Sequence, residues 1–140
     1  MAVVLGLNAK LFRDEAGTQA KTEMKNVKDL TLNLETGEAD VTTRATDGWK
    51  ASIATLKDAS LEFGMIYDTD DADLDAIQAA FLTNTPLSFF ITDGNGSGLD
   101  ADFSITNFSI EQPLEEAMTV SVTAKPTAST RAPKWVEGTN

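Results

Sequence analysis

The 140-residue chain contains no cysteine and no histidine. Without cysteine there is no disulfide framework and no thiolate metal site. That usage fits a cytoplasmic product. Without histidine the usual neutral-pH acid–base group is missing, which excludes Ser–His and Cys–His hydrolases. Carboxylate pairs and lysine chemistry stay formally open. Basic charge is scarce as well. Residues 58–124 hold no Lys or Arg, but they hold thirteen carboxylates of a chain whose net charge is −11. A surface built from that stretch cannot grip phosphate, because nucleic-acid affinity comes mainly from Lys and Arg displacing counterions. It would repel DNA, or attract the more balanced ends of another copy. For the charge taken alone, a solvated acidic surface that aids solubility is the simpler account.

Long apolar runs are absent too. No stretch approaches the ~20 residues that span a bilayer, so no membrane partner is expected. The opening residues 1–10 carry a short apolar run without a basic region before it, a poor secretory leader. The length and a 41% hydrophobic content fit one compact domain. A domain of about 150 residues buries roughly 68–70% of its unfolded surface.

What the chain does have is alternation with period two, the mark of half-buried strands. Leu30, Leu32 and Leu34 fall on one face, with Thr31, Asn33 and Glu35 on the other. Leu61, Phe63, Met65 and Tyr67 form a second apolar face. Residues 86–92 are nearly continuous in apolar side chains and predict a strand buried on both faces. Residues 101–112 alternate, then change parity at Asn107, which predicts a bulge near Thr106–Asn107. Met118, Val120, Val122 and Ala124 are opposed by Thr119, Ser121 and Thr123. A first strand is expected within residues 3–12. One segment has helical spacing instead: Leu74, Ile77 and Phe81, with Asp68 to Asp71 as capping candidates, predict a helix over about residues 70–82. The Asp93–Gly98 run predicts a turn, and Pro113–Glu116 a tighter reversal. The fold expected is mainly β: a small barrel or sandwich in residues 1–125, with one flanking helix. A C-terminal arm follows at 126–140.

Residues 37–57 stand apart as a long polar β-hairpin loop. They are Thr-rich, with strand propensity but little to bury beyond Val41 and Trp49. Such a stretch is either a mobile surface hairpin or a segment that orders against a neighbour by adding strands. Trp49 and Trp135 both lie in polar surroundings, where a Trp marks an interface anchor or folds back as a lid.

Tests for chemistry give bland answers. Asp71, Asp73 and Asp75 have the spacing of a calcium loop, but Ala76 and Leu82 stand where Gly and Glu are needed. Helix capping explains them better. The glycines at 94, 96 and 98 read as a hairpin tip and not as a nucleotide loop. Asp100 and Asp102 share a strand face as a catalytic pair would, yet a solvated face is the better reading. No catalytic, metal or cofactor residue is nominated, and the chain reads as a non-enzyme.

A series of short blocks carries a resemblance. It runs through Asn8-Ala9-Lys10-Leu11, Val27-Lys28-Asp29-Leu30-Thr31-Leu32, Asp40-Val41-Thr42-Thr43-Arg44 and Gly48-Trp49-Lys50. It continues with Ala54-Thr55-Leu56-Lys57-Asp58, Leu61-Glu62-Phe63, Ile77-Gln78-Ala79-Ala80-Phe81 and Ile105-Thr106-Asn107-Phe108. Pro113-Leu114-Glu115-Glu116-Ala117 and Ser121-Val122-Thr123-Ala124-Lys125-Pro126-Thr127 close it. In that order the chain resembles the major tail tube proteins of long-tailed, siphovirus-type bacteriophages.

The resemblance implies rings, usually of six copies, stacked into a tube that conducts the genome. It implies the virion as location, assembly in the bacterial host cytoplasm, and tape-measure, tip and terminator proteins as partners. DNA would be present only in transit. Asp40, Val41, Thr42, Thr43, Arg44, Gly48, Trp49, Lys50 and Trp135 become candidates for contacts between subunits or stacked rings. The polar faces of Thr31, Asn33, Glu35 and of Thr119, Ser121, Thr123 become candidates for an acidic lumen. Two rivals remain: an inner-tube ring of a contractile or type VI-like injection system, and a monomeric β-sandwich module binding sugars or a protein. One Tyr and two Trp argue weakly against the second.

Overall fold

The computed structural model describes residues 5–6, 9–94, 96–127 and 131–137. Among these residues, eight strands and one α-helix follow in the order β1 (Lys10–Glu15), β2 (Thr22–Glu23), β3 (Val27–Asp40), β4 (Ser52–Ile66), α1 (Ala72–Thr83), β5 (Leu87–Thr92), β6 (Gly98–Glu111), β7 (Thr119–Pro126) and β8 (Lys134–Val136). All pair antiparallel in one sheet of order β2-β1-β5-β6-β7-β4-β3, and β8 adds to β6. The sheet curls into a half-barrel. The expected first strand is displaced: among the described residues β1 starts at Lys10 and runs to Glu15. Residues 3, 4, 7 and 8 of the expected span lie outside the description.

The inward face of the curl is the core. Leu61, Phe63 and Met65 of β4 meet Phe89 of β5, Phe103 of β6, and Val120 and Val122 of β7. Phe89 sits 5.8 Å from Phe103 and 5.9 Å from Phe63 by ring centroid, the tilted and edge-on arrangements that aromatic quadrupoles favour. Helix α1 closes this face with Leu74, Ile77 and Ala80, and Phe81 stacks on Phe108. The helix starts where the acids predict. Asp71 caps it by accepting the Asp73 N–H, and Asn26 donates to the other Asp71 oxygen. Asp73 pairs with Arg13 at 2.8 Å. At the far end Asn84 takes a left-handed conformation. Phe108 faces the core because β6 slips register between Ile105 and Asn107 against β7, the bulge that the parity change predicts.

Residues 37–57 form the expected long hairpin: residues 37–40 of β3 and 52–57 of β4 run on as a two-stranded ribbon, and 41–51 are the connection. The ribbon reads as loop from sequence because both its faces are exposed, so one-sided alternation fades beyond Leu34.

Candidate assembly surfaces

The ribbon tip is organised by its own polar side chains. The Asp40 carboxylate accepts the Thr42 N–H at 2.9 Å. Hydrogen bonds from Thr42, side chain first and backbone second, hold the Asp40 pKa below its ordinary value. The Thr42 hydroxyl donates to the Ala51 carbonyl and accepts the Ala51 N–H. Thr43 caps a single 3₁₀ turn at Arg44–Thr46. The Thr46 hydroxyl lies 2.7 Å from the carbonyls of both Thr43 and Trp49. Asp47 and Gly48 turn the chain with positive φ. Threonine is abundant here because each short hydroxyl can replace a missing ladder bond. The outcome is a shaped tip that presents Arg44, Lys50 and a Trp49 that is 77% exposed.

The two polar strand faces come together as one surface. Across β3, β4 and β7, Thr31 stands opposite Glu62, which stands opposite Thr123. Asn33 faces Ser60, Glu35 faces Asp58, Ser121 faces Gly64, and Thr119 faces Ile66. β6 continues the face with Asn107, Ser109 and Glu111 against Thr123, Ser121 and Thr119. This is the outer side of the sheet, opposite the core, and Glu35, Asp58, Glu62 and Glu111 make it acidic.

Residues 134–136 lie back on the sheet. β8 pairs with the part of β6 that β7 does not reach, setting Trp135 opposite Leu99. Trp135 stays half-exposed there. Nearby, Arg131 donates to Asp100 at 2.7 Å, to Asp102 at 2.9 and 3.0 Å, and to Ser88 at 2.7 Å. The Asp102 carboxylate also accepts the Gly17 N–H. Asp100 and Asp102 are 0% and 2% exposed, so the expectation of a solvated acidic face is wrong. The guanidinium, the Ser88 hydroxyl and the 16–18 segment cover them. Burial works against the Arg131 charge, but hydrogen bonds and attraction from Asp102 and Asp100 outweigh it and raise the Arg131 pKa. The arrangement is a structural clamp. With both carboxylates engaged by a cation, neither is set up as a general acid or base.

A family model described as phage tail tube protein matches residues 10–128. The chain belongs to the phage tail tube protein family. Its members are structural, so the chain is a subunit of a phage tail tube and its place is the virion. Solved structures share the fold. The tail of an empty gene transfer agent particle, refined helically with C6 symmetry, matches with a TM-score of 0.78 and 13% identity over 99% of this chain and 100% of that one. The SPP1 tail tube, from solid-state NMR and cryo-EM, matches at 0.72 and 13% identity over 98% of this chain and 80% of that one. A chain of the anti-feeding prophage baseplate matches at 0.64 and 4% identity over 96% of each. No curated protein sequence matches the chain. Among the described residues no helix is long and apolar enough to cross a membrane.

The residues nominated for subunit contacts fall on two separate regions. Asp40 to Lys50 cluster at the ribbon tip, and Trp135 lies on β8 beside β6. Reading the sequence missed Leu56 and Ile53, both well exposed on the ribbon. Their signal was an aliphatic residue recurring in an otherwise polar segment.

Proposed function

We propose that copies of this chain close into hexameric rings, and that the rings stack into a channel for the genome. One observation carries the reading: β3 is a fourteen-residue strand at the sheet edge. Among the described residues nothing pairs with its outer side. Such an edge exposes a row of N–H and C=O groups that seek another strand. Joining half-barrels edge to edge removes it, and a head-to-tail contact closes into a ring when its rotation permits. The C6 symmetry of the similar gene transfer agent tail supports six copies. In this arrangement the acidic outer face of β3, β4, β7 and β6 lines the lumen, with Thr31, Asn33, Glu35, Thr119, Ser121 and Thr123 on it. An acidic wall repels DNA at close approach, within the roughly 8 Å that physiological salt leaves unscreened.

The ribbon tip makes the contact between copies. Arg44 pairs with a neighbour's carboxylate, Trp49 buries, and Lys50 sits at the rim. Tape-measure, tip and terminator proteins meet the ends of the tube, and the subunit performs no catalysis. The test is the double variant Arg44→Glu with Trp49→Ala. Both side chains are exposed, so far-UV circular dichroism should stay unchanged while tube growth stops. Tubes of wild-type length from this variant would refute the assignment of the tip. A second reading, an inner tube within a contractile sheath, is compatible with the fold shared with a chain of the anti-feeding prophage baseplate. Binding of assembled tubes to a sheath protein would decide for it.

A further inference from the structure

Asp100 and Asp102 are set in place by parts of the chain that precede the C-terminal segment. Both lie on one side of β6, where Ser88 of β5 stands opposite Asp102, and residues directly opposite in an antiparallel pair share a face. The Gly17 N–H donates to both Asp102 oxygens at 3.1 Å. The Ser88 hydroxyl donates to the Thr18 carbonyl at 2.6 Å. Asp14 stands opposite Ser88 on the same face. Residues 14–18, 88, 100 and 102 alone therefore build a negatively charged pocket of fixed shape.

Arg131 fits that pocket through its planar fork. Nε reaches Asp102 at 3.0 Å, Nη1 reaches Asp100 at 2.7 Å, and Nη2 reaches Asp102 at 2.9 Å and Ser88 at 2.7 Å. An ammonium cannot copy three nitrogens meeting three side chains. The charge is not balanced. One guanidinium faces two buried carboxylates, and Asp100 Oδ2 has no hydrogen-bond partner among the described residues. The segment that carries Arg131 is fastened by little else: residues 132–135 are exposed, and β8 adds three residue pairs along β6. Emptying the pocket would strand two buried carboxylates without a counter-charge, which is costly. Replacing one guanidinium by another keeps every bond. Exchange is therefore favoured over vacancy, and the edge of β6 that β8 occupies accepts an incoming strand through the same backbone groups.

We propose that Ser88, Asp100 and Asp102 form a receptor for an arginine side chain, and that a polypeptide bringing an arginine shortly ahead of a short strand takes the place of Arg131 and β8. The site belongs to the single chain and is independent of ring closure. The test uses the full chain as Arg131→Ala and as Arg131→Lys, which keeps a cation. The probes are a fluorescent peptide of residues 128–137 and the same peptide with lysine for its arginine. Either folded variant should bind the arginine peptide at least tenfold more tightly than the lysine peptide, and at least tenfold more tightly than the wild type does, whose pocket is filled. Adding Asp100→Asn should abolish the preference. In Arg131→Ala, millimolar methylguanidinium should raise the thermal midpoint, and methylammonium at equal ionic strength should not. Equal binding of the two peptides, or no binding, overturns the receptor and leaves the tail-tube reading intact. Wild-type affinity equal to that of the variants places the peptide elsewhere and overturns it too. Should neither variant fold, slow uptake of the arginine peptide alone by the wild type supports the receptor, and no uptake overturns it.

Discussion

Substituting Arg131 by alanine withdraws the guanidinium from two fully buried carboxylates. Breaking a buried ion pair from one side costs about 3–5 kcal/mol, a large share of the roughly 5–15 kcal/mol that holds a domain together. The urea midpoint of Arg131→Ala should fall accordingly, and Arg131→Lys should recover only part, since an ammonium lacks the planar fork. A loss under about 1 kcal/mol would contradict the clamp. Asp40 offers a gentler test. Its pKa is depressed by Thr42, so its hydrogen bonds stabilise the tip above the unfolded carboxylate pKa. That contribution is lost as pH falls through the lowered value. Thr42→Val should move the Asp40 titration, read by carboxyl carbon NMR, upward towards the ordinary range. No movement would show that the hydroxyl is idle. The buried acids were legible in principle. Reading residues 86–92 as covered on both faces implies cover for the strand beside them, and Ser88 and Phe90 sit opposite Asp102 and Asp100. Arg131 was not legible as their partner, because it arrives from 29 residues further on in a segment with no pattern of its own.

At the level of elements, strong local periodicity carried over into structure. Helix α1 lies within a residue or two of its expected limits because Leu74, Ile77 and Phe81 share a face and Asp71 supplies a cap. Losing that cap in Asp71→Ala should cost about 1 kcal/mol, seen as a lower thermal midpoint; an unchanged midpoint would show that Asp70 or Asp68 takes over. The bulge in β6 was legible because the apolar parity itself changes at Asn107. The register slip between Thr36 and Glu38 of β3 against β4 was not, since Thr55 and Leu56 sit in an exposed ribbon where burial imposes no parity to break. β2 and β8 escaped notice for a related reason. Two or three residues are too few to display a period, and the pairing partner of β8, β6, lies far off in sequence.

For the whole molecule, the sheet has an order that leaves β3 at one border and the two-residue β2 at the other. The charge is divided in a corresponding way, with an acidic body and cations gathered on the β3–β4 ribbon and towards the chain ends. Composition alone made a solvated acidic surface the simpler account. The edge strand adds a structural reason for copies to associate, under the assembly proposed above. Each copy in a ring would then cover the border that its neighbour leaves open. Negative-stain electron microscopy of the concentrated wild-type protein addresses this most directly. The account predicts rings or hollow tubes with a central channel; a field of single compact particles, matched by a monomer in sedimentation at the same concentration, would contradict it.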